Sequence, residues 1–321
     1  MLRRVAVTML LALAGAAPAL AQDWPTKQVK IVVPFGAGST PDVVARIIAD
    51  GLGKKYPGSV FIVENKPGAS GNLGTDLVAK AAPDGSTIGI SIGGPLAINT
   101  LLFANLPYNP QKDIAPVTQL ITQPSALAVN PALNVNLVAD LVKLLKANPG
   151  KYNFASIGTG SLSQLVMEAI AIKSGTKIVH VAYKSSPDAI LAVIRGDAQM
   201  ACMPAISVLP QAKGGKVKML AVSTAKRSPY LPDVPTLKES GIDVDADAWM
   251  GLIAPGGTPK PVVDKINKDV VAIIKAPEVR EKLGKQLMEP VGSTPEEFRA
   301  RIEGEIARWG PVIKAANIKV N

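Results

Sequence analysis

Two hydrophobic periods alternate along most of this chain. Short β-branched runs such as Ile31-Val32-Val33 read as buried strands, and they are followed by stretches of helical spacing such as that through Val43, Val44 and Ala45. The pattern predicts strands over Val29–Val33, Val60–Val63 and Thr87–Ile92, with helices over Asp42–Leu52 and near Asn72–Ala81. A second set begins near Ser125. It predicts strands over Ala126–Val129, Asn153–Ser156, Lys177–Ala182, Gln199–Met203 and Val217–Val222, with helices over Asn136–Asn148, Ser163–Ser174 and Pro187–Arg195. After the proline-rich loop Ser228 to Pro235 come a strand at Trp249–Ala254 and helices over Pro261–Ile274, Pro277–Lys285 and Pro295–Ala316. Such alternation predicts an α/β architecture with a largely parallel sheet. Two sets predict two lobes, the second inserted in the first: residues 22–123 plus 224–321 form one and residues 124–223 the other. The crossings fall near Ile121–Pro124 and Ser223–Trp249.

The first residues change the picture of where the protein works. Arg3 and Arg4 precede the apolar stretch Val5 to Ala17, and Ala19-Leu20-Ala21 forms an A-x-A cleavage box. This predicts a secretory signal cleaved after Ala21 and an exported protein starting at Gln22. A membrane anchor is the alternative, but the run is short for a span. Loss of the two arginines lowers the net charge from +10 to +8. Hydrophobic residues make up 47% of the chain, which argues for a folded globule. A single cysteine, Cys202, permits no internal disulfide. The basic balance favours anionic partners. Nucleic acid is not among those expected, because the lysines are scattered and aromatics reach only 4%.

The candidate chemistry sits at two strand–helix junctions. In the first, Gly36 and Gly38 follow the strand, Ser39 or Thr40 can cap a helix, and Pro41 fits its first position. Free N–H groups and the positive end of a helix dipole then point at one spot, a ready site for an anion. The second junction, Phe154 to Ser163, repeats the logic with Gly158, Gly160 and a cap from Ser161 or Ser163. Each alone reads as an ordinary turn; one per lobe makes a shared ligand at the carboxyl ends of the strands an equal reading.

Other chemistries fit less well. Gly36-Ala37-Gly38 lacks the third glycine of a dinucleotide fingerprint, and Gly158-Thr159-Gly160-Ser161 is not a nucleophile elbow. The one histidine, His180, lies in an apolar strand and reads as packed; Cys202 reads as a small hydrophobe. One His and one Cys allow no zinc spacing. Asp243, Asp245 and Asp247 resemble a calcium loop but lack its glycine and terminal glutamate, and read as solvated. No cofactor or metal is expected. Tyr183-Lys184-Ser185-Ser186 offers a phenol, a cation and hydroxyls to the cleft, or is simply a surface turn.

An ordered series of motifs adds a family resemblance. Pro34-Phe35 with Gly38, Asp42 and Arg46 is followed by Asn65-Lys66-Pro67-Gly68-Ala69-Ser70-Gly71-Asn72, Pro83-Asp84-Gly85, Leu106-Pro107-Tyr108 and Ile114-Ala115-Pro116-Val117-Thr118. His180-Val181-Ala182-Tyr183-Lys184, Leu220-Ala221-Val222-Ser223, Leu231 to Thr236, Trp249-Met250-Gly251-Leu252 and Ala254 to Pro259 complete it. The chain resembles the Bug family of periplasmic solute receptors, which serve tripartite tricarboxylate transporters. The resemblance implies a two-lobed, type II-like Venus-flytrap fold without enzymatic activity, working as a monomer with the membrane subunits of a transporter. It also implies a small carboxylate held by backbone groups and waters. Carried over by position, the first lobe contributes Phe35, Gly36, Ala37, Gly38, Ser39 and Thr40, flanked by Ser91, Gly93 and Gly94. The second contributes Ser156, Thr159, Gly160, Ser161, Ala182 and Tyr183, with Pro204 and Ala205 at the rim. Ser39 and Pro41 depart from the family's loop, and Gln199 and Pro204-Ala205 replace more polar residues. The latter changes are expected to remove charge near the cleft and so disfavour ligands carrying an amino group. A receptor of this fold that presents its ligand to a sensor kinase, and a secreted α/β hydrolase, are the alternatives.

Overall fold

The computed structural model describes residues 24–320, so the expected leader lies outside the described residues. The first lobe opens with β1 (Gln28–Val33), α1 (Thr40–Lys55), β2 (Val60–Asn65), α2 (Asn72–Ala79) and β3 (Thr87–Ile92). A π-helical turn at Gly94–Ile98 then runs into the short α3 (Asn99–Leu102). Next come β4 (Ile114–Val129), α4 (Val138–Ala147), β5 (Asn153–Ser156), α5 (Leu162–Ser174), β6 (Val179–Ala182), α6 (Ser186–Arg195), β7 (Met200–Pro204), α7 (Ala205–Lys213) and β8 (Lys218–Val222). The chain closes with β9 (Asp247–Pro255), α8 (Lys260–Ile274), α9 (Pro277–Gly284), β10 (Glu289–Pro290) and α10 (Pro295–Ala315).

The strands join in the order β2-β1-β3-β9-β4-β7-β5-β6, with β8 and β10 also paired to β4. The outer triplets β2-β1-β3 and β7-β5-β6 are parallel. The centre is not: β9 runs antiparallel to β3 and β4, and β4 runs antiparallel to β7 and β8. The sheet is therefore mixed rather than largely parallel.

β4 is the reason. Only its end, Ala126–Val129, is visible in the pattern, because Pro116 and Pro124 break the run. A proline donates nothing to a ladder and is tolerated where pairing is irregular. The β4–β9 register slips between Pro116 and Thr118, and β9 pairing ends at Pro124. From Ser125 onward the strand pairs with β7, and from Ala126 with β8. One strand thus belongs to both halves of the sheet and changes partners beside Pro124.

Each half has its own core. Val44, Ile48 and Leu52 recur at helical spacing on α1 and are fully buried against Val29, Ile31 and Val33 of β1 and the inner face of α8. Each such side chain contributes about 1.5–3 kcal/mol by leaving water. In the other half, Phe154 of β5 packs with Leu165, Val166 and Ile170 of α5. α10 serves both: Phe298 and Ile302 pack with Trp249 in the first half, while Trp309 and Ile313 join the core of the second. At 1.5 Å per residue its 21 residues reach about 30 Å.

Candidate functional site

The first junction is built around Asp42, the third residue of α1. Asp42 is 2% exposed. Its carboxylate accepts the Gly38 N–H (2.8 Å), the Asn65 amide (3.0 Å) and two bonds from Arg46, from Nε and Nη2 (3.0 Å each). The Arg46 bonds hold this carboxyl down at about 2 against the opposing effect of burial, and Gly38 and Asn65 assist. Asn65 also donates to the Phe35 carbonyl at 2.9 Å, fixing the turn to the end of β2. The Gly38 N–H, expected to be free for a ligand, is therefore taken by the chain's own carboxylate. The Ser39 N–H turns back to the Gly36 carbonyl at 3.2 Å. The Thr40 N–H, at the first helical position, has no intrahelical acceptor. Ser39 stands at the N-cap position, but its hydroxyl caps nothing. That oxygen is shielded from solvent and finds no hydrogen-bond partner among the described residues.

The second junction is tied more tightly. Ser161 caps α5, accepting the Gln164 N–H at 3.4 Å and donating to the Gly158 carbonyl at 2.6 Å. Ser163 accepts the Ile157 N–H at 3.1 Å, and the buried Gln164 accepts the Gly160 N–H at 2.8 Å. Ser156 accepts the Gly158 N–H at 3.1 Å and meets His180 Nε2 at 2.5 Å. His180 stacks on Phe154, ring centres 5.0 Å apart, and desolvation lowers its pKa. A serine beside a histidine invites the hydrolase reading. The Ser156 side chain is wholly buried, however, and its hydroxyl is engaged with the Gly158 backbone. No carboxylate holds the other ring nitrogen among the described residues, so the pair supports the loop. Thr159 is left exposed at the tip.

The strand registers bring the two junctions toward each other. β3 ends at Ile92, which lies level, through Met250, with Ile121 of β4. β7 ends at Pro204, level with Ser125 of the same strand. The four residue steps from Ile121 to Ser125 span about 13 Å at strand rise. β1 lies parallel to β3 and β5 parallel to β7, so both junctions leave the sheet toward the middle of β4 from opposite directions.

The remaining candidates divide by burial. Gly36, Ala37, Gly38, Thr159 and Ala182 are exposed; Phe35, Ser39, Thr40, Gly93, Gly94, Ser161, Tyr183 and Pro204 are half-buried. Four others lie inside. The Ser91 hydroxyl bonds Thr75 at 2.8 Å, Ser156 is occupied as described, Gly160 sits under Leu102, and Ala205 is a core residue starting α7 rather than a rim residue. Tyr183 gives its N–H to the Ser156 carbonyl at 2.9 Å. Gln199 also belongs elsewhere. It lies just before β7, at the end opposite Pro204, where its side chain accepts the Asn153 N–H (2.8 Å) and donates to the Gly196 carbonyl (2.7 Å). It therefore says nothing about charge in the cleft. Asp243 and Asp245 lie in the loop before β9, Asp245 half-buried beside Arg308, but Asp247 is not a solvated loop residue: it begins β9 and pairs with Arg301 of α10. Cys202 is wholly buried, which pushes its thiol up to about 12. Two surface cavities, of about 520 and 500 Å³, share no residue with either junction.

Residues 44–318 match the family described as the tripartite tricarboxylate transporter family receptor, TctC. Protein BugT of Bordetella pertussis is 33% identical over 98% of this chain and 97% of its own length. Among solved structures, the R. palustris protein Rpa4515 with adipate is 35% identical, with a TM-score of 0.81, over 92% of this chain and 99% of its own. MatC of Rhodopseudomonas palustris with bound malate is 31% identical, with a TM-score of 0.75, over 90% of this chain and 100% of its own. The periplasmic binding protein BugD, 31% identical with a TM-score of 0.76, covers 92% of this chain and 99% of its own. A two-lobed α/β chain with a glycine-rich strand–helix junction in each half of its sheet, matched over nearly its whole described length by these receptors, belongs to the tripartite tricarboxylate transporter receptor family, the Bug proteins.

Proposed function

We propose that this protein is a periplasmic receptor that captures a small carboxylate between its lobes and delivers it to the membrane subunits of a tripartite transporter. The observation that carries this reading is the convergence of two helix starts on the middle of β4, one of them bearing the unpaired Ser39 hydroxyl. On this reading residues 22–123 with 224–321, and residues 124–223, are the two jaws, and Ala21 is the cleavage site. One carboxylate oxygen set lies near Thr40 and Ser39, and Thr159 approaches from the second lobe. No guanidinium stands in either glycine turn, and Arg46 is committed to Asp42. Recognition therefore rests on backbone N–H groups, hydroxyls and bound water, and the protein has no reaction to catalyse. Relatives bound to adipate and malate support a carboxylate ligand.

A thermal-shift screen of mono-, di- and tricarboxylates and aromatic acids tests the reading. A ligand at 100 times its dissociation constant adds about 2.7 kcal/mol of stability. At least one acid is expected to raise the melting temperature by several degrees and to be recovered unchanged. Flat melting curves across the panel, or turnover of the acid, would reject the proposal.

A further inference from the structure

We infer that Leu102 is a positioning residue for the second anion junction, reaching it from the other half of the molecule. The inference rests on the proposal that this junction holds the carboxylate. Gly160 has φ +76°, and a Cβ placed there would lie 2.3 Å from Leu102 Cδ1 and 3.6 Å from Val320 Cγ2. A Leu102 methyl thus fills the space a side chain at 160 would need. Gly160 is required by this contact and by its backbone conformation, and not only by the approach of an anion. On the amide side, Gln164 Oε1 takes the Gly160 N–H at 2.8 Å. The peptide beside the exposed Thr159 is therefore clamped between an amide and a methyl group.

Leu102 is itself held by a buried polar network. Asn99 donates to Asn72 Oδ1 at 2.6 Å, and Tyr108 donates to the same oxygen at 3.1 Å and stands 2.9 Å from the Pro95 carbonyl. Asn72, Asn99 and Tyr108 are each 4% exposed. Asn72 begins α2, so the network roots the segment in the first half. The same segment begins at Gly93 and Gly94, beside the first junction, with Gly93 packed against Trp249. Its far end, Leu101 and Leu102, packs on the core of the second half. One continuous piece of chain therefore starts at one junction and ends on the other. A binding site divided between two jaws needs its halves in fixed register, and this segment supplies that register at Gly160.

The test uses the full mature chain and the best carboxylate from the screen. Leu102→Ala is expected to raise Kd at least tenfold, mostly through a faster off-rate. Leu102→Met, of similar volume, is expected to keep near-normal affinity. Leu101→Ala, which removes a neighbouring apolar contact on the same core, is expected to lower the melting temperature while leaving Kd within twofold. Gly160→Ala alone is expected to weaken binding, and Gly160→Ala with Leu102→Ala to bind better than Gly160→Ala alone, because the vacated space relieves the clash while the strain of the positive φ remains. Hydrogen exchange at the Gly160 amide, measured without ligand, is expected to rise tenfold in Leu102→Ala and not in Leu101→Ala. This readout holds even if no acid in the panel binds, an outcome that rejects the proposed function instead. Unchanged exchange in Leu102→Ala, wild-type affinity in that variant, or equal loss of affinity in Leu101→Ala would overturn the inference.

Discussion

Single residues set the first junction, and Asp42 does so through its charge. Its folded pKa of about 2 lies below the ordinary 3.8. A lowered carboxyl stabilises the fold fully above its unfolded value and loses that contribution as pH falls toward the folded one. Because the Arg46 side of the pair is solvent-exposed, the contribution is screened to about 1 kcal/mol. The urea midpoint of the wild type is therefore expected to exceed that of Asp42→Asn at pH 6, and the gap to close as pH falls from about 4 toward 2. A gap unchanged at pH 2.5 would deny the charge its role. Lys184 offers the opposite case, an exposed cation outside both turns. Lys184→Ala is expected to cost about 1 kcal/mol of binding or less. Replacing the ligand carboxylate by an amide is expected to cost at least ten times more in affinity, since helix starts favour anions; calorimetry ranks the two. The glycines and hydroxyls of both turns are legible in the sequence. Their bonding is not: Asp42 and Gln164 consume N–H groups that look free on paper, and a contact between Gly160 and Leu102, 58 positions apart, leaves no local trace. An Asp–Arg pair four apart, joining the first and second turns of α1, is the one signal that points to the Asp42 bonds.

At the scale of elements, regular periodicity decides what can be read. β3 and β5 have the predicted limits, and α1, α5 and α8 differ by a few residues at most, because their apolar spacing is unbroken. The losses fall where proline or small residues blur the pattern. β4 hides behind Pro116 and Pro124, α7 carries Pro210 in its interior, and Gly93-Gly94-Pro95 conceals the helical turn before α3. Gln199 reads correctly as the edge of a strand but lies at the end away from the junctions, since a sequence shows a neighbour but not which pole of the sheet it occupies. α10 is held by a charge cluster that periodicity cannot reveal. Glu305 is 2% exposed, accepts the Trp309 indole N–H at 2.8 Å, and pairs with Arg301 (3.3 Å) and Arg308 (3.1 Å). Glu305→Gln keeps the indole bond and removes the charge between two arginines. Breaking a buried pair from one side costs about 3–5 kcal/mol. A loss near the low end is expected, because both arginines are partly exposed; a change under about 1 kcal/mol in urea unfolding would show the cluster to be incidental.

For the whole molecule, the proposed cleft and the surface differ in kind. Local dipoles and hydroxyls line the junctions, while a net charge of +10 in the full chain is spread outside them. Diffuse charge steers an anion over distances that salt screens; short contacts in a closed cleft are screened far less. Raising ionic strength from 0.02 to about 0.5 M is therefore expected to slow association severalfold and leave the off-rate within about twofold. Stopped-flow measurement distinguishes this from a salt-sensitive off-rate, which would place a fixed cation on the bound ligand.

The reach of α10 across both halves has a consequence in time. A chain is made amino end first, and the residues that complete either core, Phe298 and Ile302 on one side and Trp309 and Ile313 on the other, come late. Both halves thus take part of their apolar cover from the helix that is made last. A polypeptide arranged in this way is expected to stay pliable until α10 has been made, which suits one that the proposed leader threads across a membrane before it closes. Chains released before Pro295 are accordingly expected to be cut by protease throughout both halves; resistance confined to one half would show that a jaw can form alone.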